Sequence, residues 1–204
     1  MCSIASHVAP HSPEMDLRFC PMRERRSGLS IFNLLLVIIL IAVAVHIFFF
    51  TIYRVAHDGM APTLRDGGTF FAQRTPYGAV SDVKRGDVIV FKHTHAGQEY
   101  QMVWRVIGLP GDTVVMEGTS VWINNERLEH STVSETNDAL IFRELNAGSE
   151  YQVAYHRHSL HPALPFRITV TPDSFFVLGD NRHEALDSIY LGLIPFDQII
   201  AKKL

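Results

Sequence analysis

Asp58-Gly59-Met60-Ala61-Pro62-Thr63-Leu64 starts five residues beyond an apolar run that fills residues 31–53. Gly59 can take backbone angles closed to other residues, and Pro62 fixes its own φ and pushes Ala61 towards an extended conformation. The chain is therefore expected to leave the run in a constrained, extended pass. Glycine and proline punctuation of this kind also reads as a plain linker between a helix and a domain. The sequence on either side decides between the two.

Downstream, short β-branched and aromatic segments are separated by turn signals. Residues 69–72, 87–92 and 100–107 predict strands, the last closed by the turn Gly108-Leu109-Pro110-Gly111-Asp112. Residues 113–117 and 120–123 predict two more, with Asn124-Asn125 at a hairpin tip. Residues 139–145, 151–156, 166–171 and 175–178 continue the series. The polar residues 131–138 predict an exposed loop, and the one helical suggestion is a short piece near residues 195–199. No other segment after Tyr53 has a 3.6-residue apolar period. The expected fold is all-β, an antiparallel domain over residues 54–204 made of two packed sheets or a partly open barrel.

Upstream, Asn33, His46 and Thr51 are the only polar side chains of residues 31–53 besides Tyr53. As one helix the run spans ~34 Å, slightly more than a bilayer's hydrocarbon core. It is too long for a cleaved leader and ends in Phe48-Phe49-Phe50 rather than small residues, so it predicts a retained transmembrane helix. Arg18, Arg23, Arg25 and Arg26 precede it, whereas Arg54 and His57 are the basic residues close behind. The positive-inside rule then puts a disordered segment, residues 1–30, in the cytoplasm and the β domain outside the plasma (inner) membrane. His46, near the outer end, is expected to reach the interface. Translation from Met22, just ahead of Arg23-Glu24-Arg25-Arg26, is a further expectation.

A chain of 204 residues holds one domain behind such an anchor, with enough length to bury a core. The formal charge of −3, evenly mixed, gives no basic face for nucleic acid. Cys2 and Cys20 both precede the apolar run, so the β domain has no internal disulfide, and neither sits in metal-ligand spacing. His93 with His95, and His156 with His158 and His161, have spacings that metals use, but no cysteine or acidic cluster accompanies them. No metal and no cofactor is assigned.

Four stretches then line up in order: Gly59-Met60-Ala61-Pro62-Thr63-Leu64; Lys84-Arg85-Gly86-Asp87-Val88-Ile89-Val90-Phe91-Lys92; Arg105-Val106-Ile107-Gly108-Leu109-Pro110-Gly111-Asp112; and Gly179-Asp180-Asn181-Arg182 with Asp187-Ser188. Behind a membrane anchor, this series resembles the bacterial type I signal peptidases, serine proteases of the Ser/Lys kind. The resemblance implies an antiparallel β domain with a groove that takes the extended end of a signal peptide as an added strand. It also implies a serine before the Met-x-Pro-Thr-Leu run as nucleophile. A lysine before the arginine of the third stretch would be the base, kept neutral by apolar burial.

At both of those positions this chain departs from the pattern. Gly59 has no nucleophilic atom, and Trp104 can neither act as the lysine nor replace it as the histidine of the eukaryotic-type branch does. Losing one such member costs on the order of a millionfold in a serine protease. Alternation along a strand puts Met102, Trp104 and Val106 on one face, so Trp104 is expected to pack into the volume that Gly59 leaves. His57 stands where the resemblance implies a serine that helps hold the oxyanion, and is expected to point to the same side as Gly59. Asp187 matches the acidic residue of the last stretch, while Ala185 and Ile189 replace its usual serine and arginine. Gly179, Asp180, Asn181 and Arg182 are expected to brace the groove floor.

Three readings follow. One is a membrane-anchored pseudopeptidase whose groove (His57, Asp58, Gly59, Met60, Pro62, Trp104, Arg105) binds signal peptides of preproteins, pilin-like subunits or an active signal peptidase without cutting. Another is a working endopeptidase in which His57, with Asp58 or Asp187, activates water. The third is a structural envelope protein whose groove Trp104 fills.

Overall fold

The apolar run does not stay helical to its end. In the computed structural model, which describes residues 30–158 and 165–204, helix α1 spans Ile31–Phe49 and strand β1 follows at once over Phe50–Arg54. Nothing in α1 is buried by protein, as a lipid-facing helix requires. Phe50–Tyr53, expected as the last turn of the span, instead pair antiparallel with β2 (Thr69–Arg74), Ile52 opposite Phe71. Hydrophobicity reports burial and not hydrogen bonding, so the boundary could not be read from it. The expectations for residues 1–29, including Met22 as a start, and for His161 lie outside the described residues.

The remaining strands are β3 (Val88–His95), β4 (Gln98–Gly108), β5 (Thr113–Glu117), β6 (Ser120–Ile123), β7 (Glu126–Arg127), β8 (Glu129–Glu135), β9 (Ala139–Asn146), β10 (Ser149–His156), β11 (Phe166–Thr169), β12 (Ser174–Leu178), β13 (Ile194–Pro195) and β14 (Ile199–Lys203). The architecture is the expected antiparallel all-β one, but hydrogen bonding divides the strands into three sheets rather than two. The largest runs β1-β2-β14-β3-β4-β12-β13, a second β11-β5-β6-β7 and a third β10-β9-β8. Asn124 and Asn125 both take positive φ at the β6–β7 turn, which their short polar side chains tolerate.

Two apolar cores result. One, with Ile89, Phe91, Trp104, Val106 and Phe175, lies on the largest sheet. The other gathers Ile107, Phe176 and Leu178 of that sheet with Val114 and Val121 of the second and Val153 and Tyr155 of the third. Two expectations fail locally. Of the expected loop 131–138 only residues 136–138 are one, since residues 131–135 belong to β8 and pair with β9, although their side chains stay largely exposed. Near residues 195–199 only the 3-10 turn Phe196–Gln198 forms before β14 begins. A one-turn helix, α2 (Ser188–Leu191), is too short to have shown a period.

Two features set up the site. β12 pairs with β4 only through Phe176↔Gly108, Val177↔Val106 and Leu178↔Arg105, so the chain leaves the sheet at Gly179 beside Trp104. That side of β4 from Gln98 to Trp104 carries no ladder partner among the described residues, and neither does the outer side of β1.

Candidate functional site

After β1 the backbone is extended at His57 (φ −165°) and again at Ala61. Between them Asp58–Met60 closes a 3-10 turn, with Ala61 N–H donating to Asp58 O at 2.9 Å, so the expected extended pass is broken where it matters most. The turn is held from outside by Asn181, whose N–H donates to Gly59 O (3.1 Å) and whose Nδ2 donates to Asp58 O (3.2 Å). Met60 points inward and is fully buried, while Ala61 and Pro62 are partly exposed.

Trp104 meets the turn as its spacing on β4 predicts. A β-carbon built on Gly59 would lie 2.5 Å from Trp104 Cη2 and 2.7 Å from Cζ3, closer than such atoms approach. On Gly179 it would lie 2.5 Å from Gly59 O and 3.2 Å from Trp104 Cζ3. The indole edge is thus clasped by two glycines, and only glycine fits at either. The ring is 1% exposed, yet its Nε1 has no hydrogen-bond partner among the described residues. Buried tryptophan N–H groups usually find one, so this ring is held by shape rather than by polar bonds.

His57 meets the same face of Gly59, its ring 5.3 Å from that of Trp104, and its Nδ1 accepts the Gly59 N–H at 3.1 Å. The carboxylates expected to serve it are engaged elsewhere. Asp58 Oδ1 accepts from Asp66 N (2.9 Å), and Asp187 accepts from Gly179 N and Ile189 N, each at 3.1 Å.

Beneath the turn is a buried charged frame. Arg105 Nε and Nη2 donate to the two oxygens of Asp180 at 2.7 and 2.6 Å, its Nη1 donates to Gly86 O, and its guanidinium stacks 3.9 Å from the Tyr151 ring. Thr63 Oγ1 also donates to Asp180, which ties the end of the turn to the frame. Arg182, fully enclosed, donates to Gly179 O, Tyr155 Oη and Glu144 Oε1. Glu144 also accepts from Tyr151 Oη and meets His130 Nε2, both at 2.7 Å. Sequence reading missed Glu144, because a glutamate alternating along a strand looks like a solvent-facing one.

Burial alone would push the Glu144 carboxyl up, but the Arg182 charge and the hydrogen bonds from His130, Arg182 and Tyr151 hold it down at about 2. Asp187 goes the other way. Burial raises it to about 6, opposed only in part by the N–H groups of Ile189 and Gly179 and by the Arg182 charge. Where the resemblance implies an arginine stands Ile189, which adds no charge of its own.

Opposite pH dependences follow. The folded chain binds the Asp187 proton more tightly than the unfolded chain does. Stability from this group therefore rises as pH falls from above 6 to below 4, by on the order of 3 kcal/mol. Glu144 contributes stability that is complete above about pH 5 and lost as pH falls towards 2. Denaturant melts between pH 3 and 8 should peak near pH 4–5, and Asp187→Asn should remove the slope between pH 4 and 6 while leaving the acid limb.

Residues 29–204 match the family model described as Signal peptidase, peptidase S26. The chain belongs to that family. It is 33% identical over 167 residues to signal peptidase I of Bacillus amyloliquefaciens, covering 81% of this chain and 80% of that one. Signal peptidase IB of Staphylococcus aureus (strain COL) is 32% identical over 76% of each chain, and signal peptidase I of Bacillus caldolyticus 27% over 81% of this chain and 84% of its own. The apolar helix fits a membrane-anchored member of the family.

The structure brings His57, Asp58, Gly59, Met60, Trp104 and Gly179 into one place, with Arg105, Asp180, Asn181 and Arg182 behind them. Asp187 joins through Gly179 N. The histidine pairs do not join: His93 and His95 lie opposite Tyr100 and Gln98 on the β3–β4 ribbon, and His156 ends β10.

Proposed function

We propose that this signal peptidase homologue, anchored with its N-terminus in the cytoplasm and its β domain outside, binds signal peptides of exported preproteins and does not cleave them. The observation that carries the reading is the contact between Gly59 and Trp104. At the position the family gives its nucleophile there is no atom to attack with, and the neighbouring volume is filled by an aromatic edge that carries no base. The unpaired sides of β1 and of β4 from Gln98 to Trp104 support strand addition as the mode of binding, with main-chain hydrogen bonds supplying the affinity. The partners proposed for this edge are exported preproteins, pilin-like subunits or an active signal peptidase.

The endopeptidase reading is weaker, because the His57 lone pair is spent on Gly59 N–H and neither Asp58 nor Asp187 orients the ring. The test uses the full chain in detergent with a fluorescent preprotein, an active signal peptidase running alongside. The expected result is saturable binding with no fragment. Cleavage that disappears in His57→Ala would overturn the proposal in favour of the endopeptidase, and absence of both binding and cleavage would favour a purely structural protein.

A further inference from the structure

We infer that His57 is a third barrier to acyl transfer at this site, separate from the missing nucleophile and the missing base. It consumes the backbone N–H that an oxyanion here would need. The inference rests on the reading above, that the groove survives without its chemistry.

In serine acyl-transfer sites the backbone N–H of the nucleophile's own residue is a donor to the tetrahedral oxygen, and removing one such donor costs about 10²–10³ in kcat. The corresponding group here is Gly59 N–H, and it already donates to His57 Nδ1 at 3.1 Å. A ring nitrogen that accepts carries a lone pair and no proton. A carbonyl oxygen entering from the groove therefore meets a lone pair where it needs a hydrogen, and its own lone pairs are repelled.

The ring does not swing aside freely. Residue 57 is extended at φ −165° and ψ 162°, so Nδ1 reaches forward over the turn, and the imidazole leans on Trp104 at an interplanar angle of 40°. Trp104 is in turn clasped between Gly59 and Gly179. Replacing Gly59 by serine and Trp104 by lysine supplies a hydroxyl and an amine but keeps His57, whose extended backbone still directs Nδ1 at residue 59 N–H although the indole support is gone.

His57 acts here as a positioning residue, and two measurements read it. In the otherwise unchanged full chain, amide hydrogen exchange at Gly59 should speed up at least tenfold in His57→Ala, with Met60 and Trp104 amides unmoved. Equal exchange in both proteins would overturn the inference whatever the groove binds. In the Gly59→Ser/Trp104→Lys background, adding His57→Ala, which leaves no acceptor, should raise kcat for the preprotein about 10²–10³-fold with KM changed less than about threefold. Adding His57→Asn, which retains an acceptor, should leave kcat low. A double variant that already cuts as fast as the triple, or Asn and Ala variants that behave alike, would overturn it. If the triple variant fails to bind preprotein, the groove reading falls, and the exchange measurement alone decides whether His57 holds the N–H.

Discussion

Changing Glu144 to glutamine should lower stability by about 3–5 kcal/mol, because it leaves the Arg182 guanidinium buried without its counter-charge. The arginine is 1% exposed at the side chain and the glutamate 0%, so water cannot replace the lost partner. Glutamine retains one acceptor, but the Tyr151 phenol, His130 and Arg182 converge on this carboxylate and cannot all be served by an amide. Unfolding in detergent should show the loss as a drop in Tm of roughly 10 °C or more. Removing both charges together, by Glu144→Leu with Arg182→Met, should cost far less than the single change. The Arg143–Glu150 pair, with its side chains 52% and 59% exposed, is the control, and Glu150→Ala should fall within about 1 kcal/mol of wild type. A Glu144→Gln loss below 1 kcal/mol would mean that the frame behind the turn is not built on this pair.

Gly59→Ser on its own should destabilise the domain by about 1–3 kcal/mol, since its β-carbon would enter the Trp104 ring edge and the surrounding core has to move. Trp104→Ala on its own should cost about 3–5 kcal/mol by emptying a buried site. Together the two should cost at least 1 kcal/mol less than their sum, because the serine then enters space the indole has vacated. A double-mutant cycle by denaturant titration reads this directly. Strict additivity would mean that residues 59 and 104 do not share a volume, and the account of the site would fall with it.

How far all this was legible from residues alone differs by element. β5 and β6 match their expected bounds because Val114, Met116, Val121 and Ile123 alternate inward between turns that announce themselves. β8 was lost because nearly all its residues face solvent, so period-two alternation has no apolar face to show. β1 was absorbed into the membrane span, since Phe-Thr-Ile-Tyr reads alike in lipid and in a sheet. At the site, the meeting of Gly59 with Trp104 was readable because strand alternation and four ordered motifs constrain both. The 3-10 turn at Asp58–Met60 and the His57 bond to Gly59 were not, because they depend on a backbone hydrogen-bond choice that neighbouring side chains leave open. The Glu144 frame needs three strands and a loop brought together, which no local pattern encodes.

The tryptophan that fills the site also has an optical consequence. The chain has only two tryptophans, Trp104 and Trp122. One of its two indoles is therefore a ring sealed from water and 5.3 Å from an imidazole. A peptide strand laid along the free side of β4 would alter the polarity around that ring, and with Trp122 replaced by phenylalanine the remaining signal belongs to one side chain. Occupancy can then be followed in the unlabelled protein, by the light of the residue that stands where a base would be.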